Sequence, residues 1–171
     1  IGLYEKAMPG DLSWREKLET AKELGYDFVE LSVDETDAKL ARLDMTREER
    51  LEILKIMNEV GVSFRSMCLS GHRKYPLGSA NPATCARGME IMEKAVQLAA
   101  DLGIRIIQLA GYDVYYEDST PETVERFGEN LKKATMMAAK AGVMLGFETM
   151  ETEFMNTVGK AMKYVELVNS P

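Results

Sequence analysis

One motif repeats along the 171-residue chain: a helix-forming segment ends in glycine and is followed at once by a short apolar run. The glycines of the four copies are Gly25, Gly61, Gly103 and Gly142. Glycine just past a helix readily adopts the left-handed conformation that closes the last turn, and a short link to a strand is typical of such junctions. We therefore interpret each copy as a helix-to-strand connection.

Five short, largely apolar segments are predicted as β-strands. Such runs fit parallel strands that are covered on both faces better than the strict polar alternation of a sheet with one wet face. The predicted strands are residues 1–4, 27–32, 63–69, 104–109 and 144–148.

Amphipathic helices are predicted after each strand, because apolar residues recur there at helical spacing. Four helix starts carry a capping box or a capping residue followed by proline. These starts lie at Ser13, Thr46, Asn81 and Thr120. The chain thus alternates strand and helix through five units.

This alternation, without a Gly- or Ser-rich linker, predicts a single α/β domain over residues 1–171. Two architectures remain open: a doubly wound five-stranded sheet, or the first five units of a (β/α)8 barrel. A complete barrel typically needs about 250 residues, so length alone favours the open sheet. The residues at the strand ends must decide.

Composition narrows the function classes. A net charge of −7 and a pI near 4.9 argue against nucleic acid or an anionic membrane surface as the main partner. The apolar runs fall far short of the roughly 20 residues that span a bilayer, and no secretory signal precedes the first strand. Cys68 and Cys85 form no disulfide framework, and the twelve methionines favour a reducing compartment, so we expect a cytoplasmic protein.

Ligands of both architectures bind at the carboxyl ends of the strands, so the segments after each strand are the candidate site. The segment after the first strand lacks the glycine-rich turn of a dinucleotide or nucleoside triphosphate site, and no such cofactor is expected. Glu30, near the end of the second strand, shares the direction of Phe28 and Ser32 and is a candidate substrate ligand. The alternative is a solvated carboxylate or an internal ion pair.

The third strand is followed by His72, the only histidine, and then by Arg73 and Lys74. This cluster suits an anionic substrate, and we take His72 and Arg73 as candidate substrate ligands. The alternative is an ordinary surface histidine beside two solvated cations.

The fourth strand carries Gln108 and leads into a cluster of tyrosines that includes Tyr112, Tyr115 and Tyr116. Amide and phenol groups bind hydroxyl-rich ligands such as sugars, so Gln108 is a candidate substrate ligand. Equally, the tyrosines could cover the site without touching a ligand.

Glu148 ends the fifth strand, which is otherwise apolar. A buried carboxylate there needs a cation or a metal, or else its pKa rises until it serves as an acid or base. Glu148 is the first choice as a catalytic residue over a structural ion pair, because strand-end carboxylates of barrels are often catalytic. No sequence-local metal motif is present, so any metal site must be assembled from distant strands.

Four longer motifs resemble one enzyme family. They are GLYEKAMP at 2–9, FVELSVDE at 28–35, MCLSGHR at 67–73 and IQLAGYD at 107–113. Together they make the chain similar to bacterial L-ribulose-5-phosphate (L-xylulose-5-phosphate) 3-epimerases of the L-ascorbate utilisation type, which are also described as hexulose-6-phosphate isomerases. The resemblance implies the N-terminal five units of a (β/α)8 TIM barrel of the xylose-isomerase-like kind, an incomplete barrel.

The resemblance also implies the chemistry: a divalent ion, Zn, Mn or Mg, stabilises an enediolate while two glutamates exchange the proton on carbon 3 of a pentulose phosphate. Glu148 matches the family's strand-end glutamate, a metal ligand and one of the two acid/base groups. The family's remaining metal ligands, an aspartate, a histidine and a second glutamate, come from the sixth to eighth strands, which this sequence does not contain.

We therefore expect an epimerase of small-molecule sugar phosphates that is inactive, and holds its metal weakly, as this piece alone. The alternatives are a hexulose-6-phosphate isomerase and a non-catalytic truncated module. The free edges of the first and last strands predict self-association into a homo-oligomer.

Overall fold

Five parallel strands form one sheet in the computed structural model, which describes residues 1–170. The strands are β1 (Gly2–Tyr4), β2 (Phe28–Val33), β3 (Ser63–Leu69), β4 (Ile106–Ala110) and β5 (Met144–Glu148). They lie side by side in sequence order, and every neighbouring pair is parallel. A doubly wound sheet reverses its strand order at a switch point, whereas a barrel does not. The sequential strand order therefore identifies the sheet as part of a barrel and excludes the doubly wound sheet.

Helices connect the strands and lie on one side of the sheet. They are α1 (Trp14–Glu23), α2 (Asp37–Leu40), α3 (Arg47–Val60), α4 (Pro82–Leu102), α5 (Pro121–Lys140) and α6 (Val158–Val168). Short 3-10 turns lie at Glu5–Ala7, Ala41–Asp44 and Ser70–Arg73. The single turn of α2 was not predicted, because one turn carries no helical periodicity.

The helix boundaries follow the local chemistry that the sequence predicted. Ser13 and Thr46 form reciprocal capping boxes. Asn81 and Thr120 cap helices that begin with proline. All four predicted helix starts are confirmed. The glycines of the repeated motif all have positive φ, between 69° and 82°. A residue with a Cβ would be strained there, so the repeat fixes where each helix stops.

The core lies between the sheet and the helices. Alternate strand residues, such as Val29, Leu31, Met67, Ile107 and Leu109, face the helices and are fully buried or nearly so. Their burial on one side leaves the intervening residues on the opposite sheet face, which we call the inner face. No helix of the described residues covers the inner face, and β1 and β5 are each paired on one side only.

Candidate functional site

The inner face carries polar side chains in rows, because parallel strands in register align their residues. One row joins Tyr4, Glu30 and Ser66, and the next joins Ser32, Cys68, Gln108 and Gly146. Ligands of barrels bind at the face formed by the carboxyl ends of the strands, which we call the mouth. Rows nearer those ends lie closer to the mouth. The candidate site is therefore this face together with the loops after the strands.

Glu30 is half-buried on the inner face and accepts a 2.6 Å hydrogen bond from the Ser66 hydroxyl. Within residues 1–170, no lysine or arginine forms an ion pair with it. The internal ion pair considered from the sequence is therefore not observed. Glu30 keeps one carboxylate oxygen free toward the inner face.

Gln108 lies on β4, two strands from Glu30, and is half-buried between Cys68 on β3 and Gly146 on β5. The small neighbour Gly146 leaves space beside the amide, since a Cβ at position 146 would meet only a side-chain carbon of Ile106, at 3.9 Å. Gln108 and Glu30 thus face the same open side of the sheet.

Glu148 ends β5 in register with Ala110 and lies on the inner face at the mouth. Gly111 fixes this corner: its N–H donates to the Glu148 carbonyl at 2.9 Å, and a Cβ on Gly111 would come within 2.7 Å of that oxygen. A side chain at position 111 would therefore push the end of β4 away from the strand that carries Glu148.

The Glu148 side chain is exposed, which corrects the expectation of a buried carboxylate. The reason is its place on the sheet: β5 is an edge strand, so no neighbouring strand covers its outer side. In the described part of the chain its carboxylate forms no hydrogen bond or ion pair. Both oxygens are free to bind a ligand.

His72 is buried, and its Nε2 lies 3.1 Å from the Gly88 carbonyl of α4, a geometry in which Nε2 donates. Burial lowers the pKa of His72 to about 4, so the ring is neutral at pH 7. The alternative of an ordinary surface histidine beside two solvated cations is therefore not observed. His72 fixes the turn that carries Arg73, and nothing in this geometry directs its ring toward a ligand.

Acidification should destabilise the protein through His72. The pKa of His72 is lower in the folded than in the unfolded state, so the unfolded protein takes up a proton first as the pH falls. The free energy of unfolding therefore decreases by up to about 3 kcal/mol between about pH 6.5 and about pH 4. We expect His72→Gln, which keeps a donor for Gly88 but does not titrate, to reduce the loss of unfolding free energy between pH 7 and pH 5. Urea unfolding of both proteins at pH 7 and pH 5 measures the two losses of unfolding free energy. Identical losses would contradict the lowered pKa of His72.

Arg73 lies at the mouth above β3, with its guanidinium 4.9 Å from the Tyr115 ring centre. Its Nε is buried and has no hydrogen-bond partner among residues 1–170. Arg73 also forms no ion pair there, unlike most of the other buried or half-buried cations of the chain. A cation that forms no ion pair at a barrel mouth suits an anionic ligand.

The tyrosines after β4 form a cluster of edge-to-face and tilted rings beside Arg73. Tyr115 contacts both Tyr112 and Tyr116, with ring centres 5.2 Å and 5.0 Å apart. The Tyr116 hydroxyl donates to the Glu35 carboxylate at 3.0 Å and so joins the loops after β4 and β2. The sequence indicated an aromatic cluster but gave no sign of this link, because the two residues are 81 positions apart.

Glu5 lies at the centre of a buried ion cluster that was not predicted from the sequence. Its side chain is only 1% exposed and is held by Lys17, Lys39 and Arg42 at 2.6 to 3.0 Å, with the Ser32 N–H at 2.9 Å. Burial alone would raise the pKa of Glu5, but the hydrogen bonds from Arg42 and Lys39 outweigh it and hold the pKa well below its ordinary range. This cluster ties the loop after β1 to α1 and to the segment after β2.

The described residues do not form a complete metal site. No group of three or more His, Cys, Asp or Glu side chains within residues 1–170 is arranged to hold an ion. Glu148 offers one free carboxylate, which fits one ligand position, and we derive no step through a metal from this chain.

A family model for the xylose isomerase-like TIM barrel matches residues 18–171. The chain belongs to this family. The xylose isomerase-like assignment agrees with the sequential parallel sheet and confirms the architecture that the resemblance implied.

Curated relatives match the whole length of this chain. The chain is 53% identical over 171 residues to the L-ribulose-5-phosphate 3-epimerase UlaE of Salmonella paratyphi B, and 52% identical to that of Escherichia coli. The resemblance stated from the sequence motifs is confirmed. The chain spans 60% of the length of these relatives.

Solved structures show the same fold at low identity. A D-psicose 3-epimerase crystallised in the presence of D-fructose superposes with a TM-score of 0.80 at 18% identity, covering 99% of this chain and 60% of that one. An L-ribulose 3-epimerase gives a TM-score of 0.75 at 23% identity, covering 99% and 57%. Among residues 1–170, no helix has both the length and the apolar character of a membrane span.

Proposed function

We propose that this chain supplies the N-terminal part of the active site of a 3-epimerase that interconverts L-xylulose 5-phosphate and L-ribulose 5-phosphate. The observation that carries the proposal is Glu148, a carboxylate free of protein partners at the mouth of the sheet. The relatives that are 53% identical and named L-ribulose-5-phosphate 3-epimerase support the substrate class. Their name also supports a place in L-ascorbate degradation.

Glu148 would act as one of two acid/base groups. Epimerisation at carbon 3 requires removal of the proton next to the ketose carbonyl and its return from the opposite face. A carboxylate that no protein group neutralises is available to take that proton. The proposal includes a divalent ion, Zn, Mn or Mg, held by Glu148 together with ligands outside this chain; when bound, it would polarise the carbonyl.

The other inner-face residues would bind the substrate. Glu30 and Gln108 present polar atoms to the open side of the sheet and suit sugar hydroxyls. Arg73, a cation at the mouth that forms no ion pair among residues 1–170, suits the phosphate. His72, also predicted as a substrate ligand, would act indirectly by fixing the turn of Arg73.

Turnover tests the proposal and separates it from its alternatives. The chain, and a chimera that joins it to the part of the Salmonella paratyphi B relative that it does not cover, are assayed with added Zn, Mn or Mg. Conversion of L-xylulose 5-phosphate to L-ribulose 5-phosphate by the chimera supports the epimerase. Isomerisation of a hexulose 6-phosphate supports the isomerase, and no turnover by either protein supports a non-catalytic module.

We also propose a cytoplasmic homo-oligomer. Both cysteines are free in the structure, and β1 and β5 each have an unpaired edge within the described residues. Exposed apolar residues lie near the β5 edge, among them Met144 at 56% exposure. Open parallel edges invite pairing with a second chain.

Sedimentation velocity at micromolar concentration should therefore show dimers or larger species. Met144→Lys places a charge on the edge strand and should shift the distribution toward the monomer, whereas Lys140→Glu on the helix before it should not. A stable monomer for the unchanged protein would contradict the proposal.

A further inference from the structure

Tyr112 has a polar atom that its surroundings do not satisfy. The residue is 2% exposed, yet its hydroxyl has no hydrogen-bond partner among the described residues. Buried hydroxyl groups almost always find a partner, since leaving one unpaired is costly. The ring alone would pack equally well as phenylalanine. An unpaired hydroxyl at this place therefore calls for a partner that binds from outside the chain.

A second unpaired donor lies close by. The Nε of Arg73 is also buried without a partner, and Arg73 and Tyr112 both contact Tyr115, at 4.9 Å and 5.2 Å from its ring centre. Burial raises the pKa of the Tyr112 hydroxyl and the Arg73 guanidinium lowers it, with the net effect upward, so the hydroxyl is protonated and able to donate. What the pair lacks is an acceptor.

The position of the pair links it to the candidate site. Tyr112 follows β4 directly, and Arg73 lies in the 3-10 turn directly after β3. Both are therefore at the mouth, next to the strands that carry Cys68 and Gln108 on the inner face. The exposed Glu35–Tyr116 hydrogen bond lies next to Tyr115, and a ligand would reach the buried hydroxyl by displacing this neighbouring side chain.

We propose that the Tyr112 hydroxyl is a substrate-binding group that donates a hydrogen bond to an oxygen of the sugar phosphate beside Arg73. The inference rests on the proposed function and adds a residue to it. The acceptor is an oxygen of the ligand, either of the phosphate or of the sugar. Tyr112 thereby contributes to affinity and selectivity and takes no part in proton transfer.

The test uses Tyr112→Phe, which removes only the hydroxyl. Isothermal titration with L-ribulose 5-phosphate and with unphosphorylated L-ribulose is performed on the protein and, in parallel, on the chimera. Tyr26→Phe is the matched control, because Tyr26 is half-buried before β2, at the opposite end of the sheet. Thermal unfolding without ligand is measured for all variants.

We expect Tyr112→Phe to weaken binding about 10-fold while leaving the melting temperature unchanged or higher, since no protein hydrogen bond is lost. Weakening for the phosphorylated ketose alone assigns the acceptor to the phosphate, and weakening for both ketoses assigns it to the sugar. If the unchanged proteins bind and Tyr112→Phe binds equally well, the inference is overturned and the proposed function stands. If the unchanged proteins bind neither ketose, both are overturned.

Discussion

Glu148→Gln should lower the turnover of L-xylulose 5-phosphate by the chimera about 10²- to 10⁴-fold, the usual contribution of a general acid or base. The amide keeps the size of the side chain but cannot accept the proton from carbon 3. Folding should be unaffected, because the Glu148 side chain is exposed and forms no hydrogen bond within residues 1–170. Steady-state kinetics and thermal unfolding of the same samples measure both effects.

The matched control is Glu151→Gln, an exposed carboxylate three residues further along. It should leave turnover within about 2-fold, as expected for a surface substitution away from the chemistry. Equal losses in both variants would show that the net charge of the mouth, and not Glu148 itself, supports the reaction.

Glu5→Gln should cost about 3–5 kcal/mol of unfolding free energy at pH 7, the range for breaking a buried ion pair. The substitution leaves Lys17, Lys39 and Arg42 crowded together without their shared anion. Urea unfolding measures the loss. Glu59→Gln breaks the exposed pair with Arg15 and serves as the control, with an expected loss far smaller than that of Glu5→Gln, because solvent screens an exposed ion pair.

The difference in unfolding free energy between the unchanged protein and Glu5→Gln should depend on pH. Because the pKa of Glu5 is lowered in the folded state, its stabilisation is present above the ordinary pKa of a glutamate and is lost as the pH falls toward the folded value. The gap between the unchanged protein and Glu5→Gln should therefore narrow below about pH 4.5. A gap that is constant with pH would contradict the ionised cluster.

The local structure could be predicted because it depends on short-range chemistry. Left-handed glycines, capping boxes and apolar runs each act within a few residues, and the five predicted strands agree with the observed ones to within two residues at either end. The single turn of α2 begins with a Thr36 cap that the sequence also carries, but one turn is too short to show periodicity.

The features that could not be predicted depend on distant partners. Lys39 and Arg42 reach Glu5 from 34 and 37 residues away, and His72 is buried by its bond to Gly88 on another element. The exposure of Glu148 depends on β5 being an edge, which no local pattern records. The alternation of strand and helix alone left the open sheet and the barrel both possible; the family resemblance predicted the barrel, and the strand order confirmed it.

Solvent exchange at carbon 3 tests the central claim most directly, because it detects proton removal even when little product accumulates. L-xylulose 5-phosphate, the epimer from which Glu148 would remove the proton, is incubated in D2O with the chimera and a divalent metal, and the carbon-3 proton is followed by NMR. We predict loss of that proton signal with the unchanged chimera and its retention with Glu148→Gln. Exchange that continues at the same rate after Glu148→Gln would contradict the assignment of Glu148 as an acid/base group.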